Sequence, residues 1–248
     1  MSCSSCANGT AFPIDITMAF QPIVDIRTGR PFAHEALVRG VNGEGAGAIL
    51  SQVSQASLYA FDQRCRVKAI ELAARLAIAS NDARLSINFL PNAVYEPRAC
   101  IRATLEAATQ YGFPTSHIIF EFTESEQVDT AHLLKILKSY KAMGFRTAID
   151  DFGAGWSGLN LLNLFVPDIV KLDMALIRDI DQRPQARTIV AHTIAMLAEL
   201  GVTTICEGIE TEGEFNVLRD LGVQYMQGYF LARPSFEALS PVHMPIAA

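Results

Sequence analysis

The sequence has few cysteines, and their placement excludes a disulfide framework. Its 5 cysteines are spread over 248 residues, unlike the dense pairing of a small disulfide-stabilised secreted protein. Cys3 and Cys6 form a C-x-x-C pair, but the neighbouring sequence lacks the further cysteines or histidines that complete a zinc site. We interpret the pair as part of an incidental tail and expect a reducing compartment.

The sequence also lacks a long uncharged apolar run. No such run reaches the roughly 20 residues that cross a bilayer as a helix. The N-terminal segment lacks the basic start and continuous apolar stretch of a signal peptide. We therefore expect no membrane span and a cytoplasmic location.

Basic residues are outnumbered, with 20 Lys and Arg against 26 Asp and Glu and a formal net charge of -6 at pH 7. Proteins that hold long nucleic acid through counterion release carry the opposite sign of charge. Long nucleic acid is therefore excluded as a partner. A phosphate-bearing ligand should be small, or bound with the help of a metal.

The chain has a length that α/β barrels use as a single unit, and 50% of its residues are hydrophobic. No internal segment has the composition of a linker, and no repeat occurs. We expect a flexible tail at residues 1–12, one domain at residues 13–240 and a C-terminal tail at residues 241–248.

Short segments rich in Val, Ile and Phe alternate with helical patterns along the chain. In one helical segment, Asp129 or Thr130 is the expected N-terminal cap and Gly144 the expected end. Repeated strand and helix units form a mainly parallel sheet covered by helices, either closed into a barrel or open. Eight strands are predicted, at residues 18–26, 34–39, 84–90, 117–123, 146–151, 168–173, 203–207 and 224–230.

The first two strands differ from the others because only residues 27–30 separate Ile26 from Pro31. This connection is too short for a crossover between parallel strands, so the two strands should form an antiparallel hairpin. A turn centred near Thr28 places Gln21 and Glu35 opposite each other. One strand of the sheet should therefore run against the rest.

Each of the six later strands ends in polar residues where an apolar run would be expected to continue. A single polar residue at a strand end is usually a solvated boundary, but six in series indicate a site. In a barrel these strand ends meet at one mouth, where such folds place their chemistry. The residues are Asn88, Glu121, Asp150, Asp151, Lys171, Glu207 and Gln227.

Glu35 brings the number of carboxylates in this set to five, against the single cation Lys171. Two like charges about 4 Å apart repel by roughly 4 kcal/mol at an effective dielectric constant of about 20. The cluster therefore requires a bound cation. Oxygen ligands without clustered His or Cys suit Mg²⁺ or Mn²⁺, and this many carboxylates can hold two ions.

Asp150 and Asp151 are adjacent, and adjacent residues of a strand face opposite sides of the sheet. They can share a metal site only if the strand breaks there, and Gly153 and Gly155 are expected to supply that break. The segment at residues 151–158 is therefore predicted to be a mobile loop that closes over a ligand.

A set of short motifs in one order resembles the EAL-domain phosphodiesterases, which hydrolyse the bacterial second messenger cyclic di-GMP. The resemblance covers residues 18–234 and implies a TIM-type (β/α)8 barrel with one antiparallel strand from the N-terminal hairpin. It also implies that one phosphodiester bond is cut to give linear 5'-pGpG. A second Glu-Ala-Leu, at Glu237, lacks the flanking hairpin and is set aside. The motifs are Phe-Gln-Pro-Ile-Val-Asp (20–25), Glu-Ala-Leu-Val-Arg (35–39), Ile-Asn-Phe (87–89), Glu-Phe-Thr-Glu-Ser (121–125), Asp-Asp-Phe-Gly (150–153), Val-Lys-Leu-Asp (170–173), Glu-Gly-Ile-Glu (207–210) and Gln-Gly-Tyr (227–229).

The resemblance implies two metal ions, Mg²⁺ or Mn²⁺, and we expect Ca²⁺ to inhibit. The attacking water would be oriented by Lys171 and deprotonated through Glu207, and Glu124 would anchor a loop. The first metal would be held by Glu35, Asn88, Glu121 and Asp150, and the second by Asp150, Asp151 and Glu207. The expected substrate contacts are Gln21, Leu37, Arg39 and Gln227.

The resemblance also favours a homodimer joined near the loop after the fifth strand. The chain departs from the usual family pattern at Gly40, at Phe89 with Leu90, and at Ala154 with Trp156. Two alternatives stay open: a catalytically silent cyclic di-GMP receptor or protein-docking domain, and another metal-dependent barrel enzyme of the enolase-like type. The latter explains neither the hairpin residue Glu35 nor the motif at Gln227.

Overall fold

The structure is a computed structural model that describes residues 12–123, 129–155 and 158–245. Cys3, Cys6, Glu124 and Trp156 lie outside these ranges. The expectations that involve these residues, and the division of the chain into one domain and two tails, stay predictions.

Eight strands close into a barrel, which confirms the fold expected from the sequence. Strands β2 to β8 pair in parallel in chain order, and β1 closes the barrel by pairing antiparallel with both β2 and β8. A short ninth strand pairs with β1 outside the barrel. The strands are β1 (Ile16–Asp25), β2 (Arg30–Gly40), β3 (Arg84–Asn88), β4 (Ile118–Thr123), β5 (Arg146–Phe152), β6 (Ile169–Leu172), β7 (Thr203–Cys206), β8 (Tyr225–Met226) and β9 (Ser235–Phe236).

Helices connect the successive parallel strands from β2 to β8 and cover the outside of the barrel. Asp129 Oδ1 accepts the N–H of Ala131 at 3.1 Å, which confirms Asp129 as the cap of the predicted helix. No helix within the described ranges is long and apolar enough to cross a membrane. The α-helices are α1 (Ala46–Leu50), α2 (Leu58–Arg75), α3 (Pro97–Cys100), α4 (Arg102–Tyr111), α5 (Thr130–Ala142), α6 (Gly158–Leu164), α7 (Met174–Ile177), α8 (Pro184–Glu199) and α9 (Glu212–Asp220).

The N-terminal hairpin has the predicted register. Gln21 lies directly opposite Glu35 in the β1–β2 ladder. The turn is closed by Gly29, whose φ of +68° is in the region that glycine adopts without strain and whose N–H donates to the Asp25 carbonyl at 2.8 Å. The hairpin therefore brings Gln21 and Glu35 together at the mouth of the barrel.

Strand β8 is shorter than predicted, because the chain leaves the sheet after Met226. There the backbone packs against the connection that follows β7. Ile209 N–H donates to the Gln227 carbonyl at 3.2 Å, and a Cβ on Gly228 would lie only 2.1 Å from the Ile209 carbonyl oxygen. This close approach of two backbones requires a glycine and ends the strand.

The interior of the barrel has two layers, an apolar floor and a polar layer above it. Side chains alternate along a strand, so residues two positions apart both face inward. The floor consists of Ile23, Ala33, Ile119, Ala148, Ile169 and Ile205. Two positions from each floor residue, toward the mouth, are Gln21, Glu35, Glu121, Asp150, Lys171 and Glu207.

Candidate active site

The polar layer places the predicted strand-end residues next to one another. Lys171 is fully buried in this layer, and its Nζ lies within ion-pair distance of four carboxylates. The distances from Nζ are 2.8 Å to Glu207 Oε1, 3.0 Å to Glu121 Oε2, 3.0 Å to Asp150 Oδ1 and 3.6 Å to Glu35 Oε2. One ammonium therefore faces four carboxylates, and the cluster keeps an excess of negative charge.

The excess of carboxylates shifts the ionisation of the cluster. Burial raises the pKa of Glu121 to about 8, against the attraction of Lys171. Burial also raises the pKa of Glu207 well above its ordinary value. Burial opposes ionisation of Asp150 as well, but the charge of Lys171 together with hydrogen bonds from Lys171, Glu207 and the Asp151 backbone outweighs it, and the pKa of Asp150 falls below its ordinary value. Burial therefore opposes full ionisation of the cluster, and a bound cation would favour it.

The donor atoms of the cluster fit a divalent cation. Glu35, Glu121 and Asp150 each offer a carboxylate oxygen, and these oxygens lie within 4.8 Å of one another. Asn88 Nδ2 donates to Glu35 Oε1 at 2.9 Å. Asp150 Oδ1 and Glu207 Oε1 are buried, and each is paired with Lys171 Nζ. Hard oxygen donors of this kind suit Mg²⁺, Mn²⁺ or Ca²⁺.

Asp150 and Asp151 both reach the site because β5 is distorted, as predicted. The prediction that Gly153 and Gly155 supply this distortion was wrong. The distortion falls at Asp151 itself, which has a φ of +54°, and the pairing with β6 shifts register between Ile149 and Phe152. Such a bulge re-aims side chains at a strand end. Partial burial, with the charges of Asp150 and Asp173, raises the pKa of Asp151 to about 6.

A cavity of about 390 Å³ lies over the polar layer. It contains three of the four expected substrate contacts. Arg39 is absent from its lining, and its Nη1 donates to the neighbouring Val38 carbonyl at 2.7 Å. The predicted metal ligand Asn88 does not line this cavity either. It lines an adjacent apolar cavity, and Leu37 lines both. The lining residues are Gln21, Glu35, Leu37, Asp150, Asp151, Asp173, Met174, Glu207, Gly208, Glu210, Gln227, Gly228 and Tyr229.

Gln227 holds Glu35 in place and is itself in contact with Gln21. Gln227 Nε2 donates to Glu35 Oε2 at 2.8 Å and lies 3.3 Å from Gln21 Oε1. Gln21 Nε2 donates in turn to the Ala232 carbonyl at 3.1 Å. The contacts of Gln227 therefore connect the segment after β8 to both strands of the hairpin, at Gln21 on β1 and at Glu35 on β2.

Several residues of the site were not assigned a role from the sequence. Ser86 Oγ donates to Glu121 Oε1 from the inward face of β3, and its signal was a polar residue two positions before Asn88. Asp173 and Tyr229 line the cavity. Both belong to motifs recognised in the sequence, and their place near the ends of two predicted strands was the available signal.

The barrel and its acidic mouth define a class of α/β barrel proteins whose site lies at the carboxyl ends of the strands. Within that class, residues 14–234 match the family model of the EAL domain. The chain belongs to this family.

Two solved structures are similar to this chain in both fold and sequence. A standalone EAL protein from Vibrio cholerae, in a form bound to cyclic di-GMP, is 50% identical with a TM-score of 0.90, over 94% of this chain and 98% of that one. BlrP1 from Klebsiella pneumoniae, in a complex with manganese and cyclic di-GMP, is 30% identical with a TM-score of 0.89, over 97% of this chain and 61% of that one.

Curated relatives include the cyclic di-GMP phosphodiesterase PA2567 of Pseudomonas aeruginosa, which is 28% identical over 228 residues, or 88% of this chain and 38% of that protein. The chain spans 31% to 56% of the length of the first curated relatives that it matches.

Proposed function

We propose that the protein is a metal-dependent phosphodiesterase that cuts one phosphodiester bond of cyclic di-GMP to give linear 5'-pGpG. The observation that carries this proposal is the buried cluster in which Lys171 faces four carboxylates beneath the mouth cavity. The names of the Vibrio cholerae structure and the Pseudomonas aeruginosa relative, which mention cyclic di-GMP and its hydrolysis, support the substrate.

Two divalent cations, Mg²⁺ or Mn²⁺, would be held by the oxygen donors of the polar layer. When bound, they supply activation of the attacking water and stabilisation of the leaving oxygen. The manganese complex of BlrP1 supports this choice of ion. We assign Glu35, Asn88, Glu121 and Asp150 to one ion and Asp150, Asp151 and Glu207 to the other.

Lys171 and Glu207 are suited to move a proton, since Nζ lies 2.8 Å from Glu207 Oε1. In the proposed reaction the Lys171 ammonium orients the attacking water, and Glu207 accepts its proton. The Glu207 carboxylate lies buried beside this ammonium, which places it next to the water that Lys171 orients.

Substrate would occupy the mouth cavity against Gln21, Leu37 and Gln227. We also assign Arg39 to the substrate phosphate, which requires its guanidinium to turn away from the Val38 carbonyl. Glu124 stays proposed as a loop anchor.

The test compares Glu35 and Glu237, each of which is the first residue of a Glu-Ala-Leu tripeptide. Purified protein is incubated with cyclic di-GMP and Mg²⁺ or Mn²⁺, and pGpG is measured by nucleotide chromatography. Glu35→Gln should lower activity by about 100-fold or more, because it removes a charge from the cluster. Glu237→Gln is the matched control and should keep the activity of the parent, since Glu237 contacts Thr17 and Arg75.

Full activity of Glu35→Gln, or of the parent protein in excess chelator, would contradict the proposed mechanism. Tight binding of cyclic di-GMP without any pGpG would identify a catalytically silent receptor instead.

We expect Ca²⁺ to inhibit the reaction that Mg²⁺ or Mn²⁺ supports. Ca²⁺ prefers longer bonds and more ligands, so it should disturb the spacing of two ions that share Asp150. Titration of Ca²⁺ at a fixed Mg²⁺ concentration should lower the rate of pGpG formation. A rate that rises with Ca²⁺ would show that the site does not discriminate in this way.

We also propose that the protein forms a homodimer near the loop after β5. Helix α6 follows this loop, and its Leu159 and Leu164 are 65% and 52% exposed, with Val166 beyond it at 40%. Clustered exposed apolar side chains are typical of an interaction surface.

A further inference from the structure

A buried ion pair lies in the helix layer behind the strand ends that carry Asn88 and Glu121. Asp62 and Arg66 are one turn apart in α2 and are 3% and 0% exposed. Arg66 Nη2 lies 2.7 Å from Asp62 Oδ2. A buried ion pair contributes little net stability, because the cost of removing two charges from water offsets their attraction. Its presence therefore has to be explained by what the charged groups contact.

Asp62 contacts the backbone just beyond β3. Its Oδ1 accepts the N–H of Leu90 at 3.0 Å. Leu90 is two residues after Asn88, where β3 ends and the chain turns away from the sheet. This hydrogen bond therefore sets the direction in which the backbone leaves Asn88. The Asn88 side chain, in turn, donates to Glu35 at 2.9 Å.

Arg66 is held between aromatic rings on the outer face of the same two strands. Its guanidinium carbon lies 5.5 Å from the centre of the Phe89 ring and 5.2 Å from that of Phe120. Its Nη1 donates to Tyr140 Oη at 2.9 Å. These contacts fix the cation that Asp62 pairs with, and cation–π attraction adds to the packing.

We propose that Asp62 is a positioning residue for the metal site, which holds Asn88 in place through the Leu90 N–H, with Arg66 as its immobile counterion. The inference rests on the proposed function in assigning Asn88 to a metal. Asp62 acts through the backbone and does not line the mouth cavity.

The test removes the ion pair without leaving one charge buried alone. In Asp62→Leu/Arg66→Met both charges go, so stability to urea should stay near that of the parent, while Leu90 loses its acceptor. The affinity for Mn²⁺ alone, measured by calorimetry, should fall about 10-fold or more, as when other outer-shell partners of ligands are removed. In the phosphodiesterase assay kcat should fall with KM for cyclic di-GMP little changed.

The matched control removes the same kinds of charge from the same helix. Lys68 and Glu71 in α2 pair at 2.7 Å and are partly exposed. Lys68→Met/Glu71→Leu should therefore keep the Mn²⁺ affinity and kcat of the parent.

A rescue variant separates the acceptor from the charge. Asp62→Asn/Arg66→Met keeps a side-chain oxygen for the Leu90 N–H. The new amide N–H₂ would meet Gln63, whose buried Oε1 accepts no hydrogen bond within the described chain and can turn to accept one. This variant should recover Mn²⁺ affinity to within about threefold of the parent, as expected if the acceptor sets the geometry.

Unchanged Mn²⁺ affinity in the folded Asp62→Leu/Arg66→Met protein would overturn the inference. If that protein does not fold, a 10-fold loss in the rescue variant would overturn it equally. A parent that binds Mn²⁺ but yields no pGpG would refute the proposed reaction and leave the affinity comparison valid. A parent that binds no Mn²⁺ would overturn both.

Discussion

Lys171 shows at the scale of one residue how the site depends on the balance of charge. It is fully buried, and burial by itself favours the neutral amine. The surrounding carboxylates, with Asp150 the strongest, instead raise the pKa of Lys171 well above its ordinary value. The residue therefore stays a cation and compensates part of the negative charge that metal ions would otherwise have to neutralise.

Lys171→Met should separate the structural and chemical parts of this role. Without metal, the variant should lose roughly 3–5 kcal/mol of unfolding free energy, because buried carboxylates are left without their partner. Added Mn²⁺ should restore more stability to the variant than to the parent, since the ions replace the missing charge. Hydrolysis should still fall about 100-fold or more.

Urea unfolding with chelator and with Mn²⁺, together with pGpG formation, measures these effects. Equal stabilisation of both proteins by Mn²⁺ would show that Lys171 and the metals do not share the same carboxylates.

At the scale of elements, the start of α9 organises the connection that follows Glu207. Thr211 and Glu214 form a capping box at this helix. Glu214 Oε2 accepts the N–H groups of Glu210 and Thr211 at 2.8 and 3.1 Å, and Oε1 accepts that of Asp179 at 3.0 Å. One buried carboxylate therefore ties the connections after β6 and β7 to each other.

The stability that Glu214 contributes should depend on pH. Burial opposes its ionisation, but the three N–H groups and Arg178 outweigh burial and lower its pKa below the ordinary value of 4.5. The contribution is therefore complete above pH 4.5 and is lost as the pH falls through the lowered pKa of the folded state. Glu214→Gln should cost about 1–3 kcal/mol at pH 7 and less at low pH.

Urea unfolding at pH 7 and in mild acid measures this difference. Glu212→Gln, in the exposed first turn of the same helix, is the control and should change stability little at either pH. A cost for Glu214→Gln that is the same at both pH values would exclude the charge as its source.

At the scale of the whole molecule, the proposed dimer predicts where a charge disrupts assembly. Leu159→Glu/Leu164→Glu places two charges on the exposed face of α6, and should convert a dimer to a monomer with unchanged secondary structure. Ile189→Glu makes the same change at a 53% exposed position of α8 and should leave the oligomer intact.

Analytical ultracentrifugation over a dilution series gives the masses. If the variant and the parent are both dimers at every concentration, the contact lies elsewhere. If both are monomers, the proposed dimer does not form.

Much of the fold was predictable because its signals are local. The four-residue connection in the hairpin excluded a parallel crossover, and the predicted pairing of Gln21 with Glu35 was found. Asp129 caps its helix through a neighbouring N–H. Glu121, Lys171 and Glu207 were predicted to meet because each lies at the end of a strand, and closure of the barrel brings them together.

The sequence by itself therefore determined the strands, the hairpin and the set of polar residues at the barrel mouth, since each depends on near neighbours in the chain. Tertiary structure alone decided that Lys171 touches four carboxylates, that β5 bulges at Asp151 and that Asp62 reaches Leu90. These contacts depend on how the strands are staggered around the closed barrel and how α2 packs against them. Such distances join residues far apart in sequence, and no local pattern specifies them.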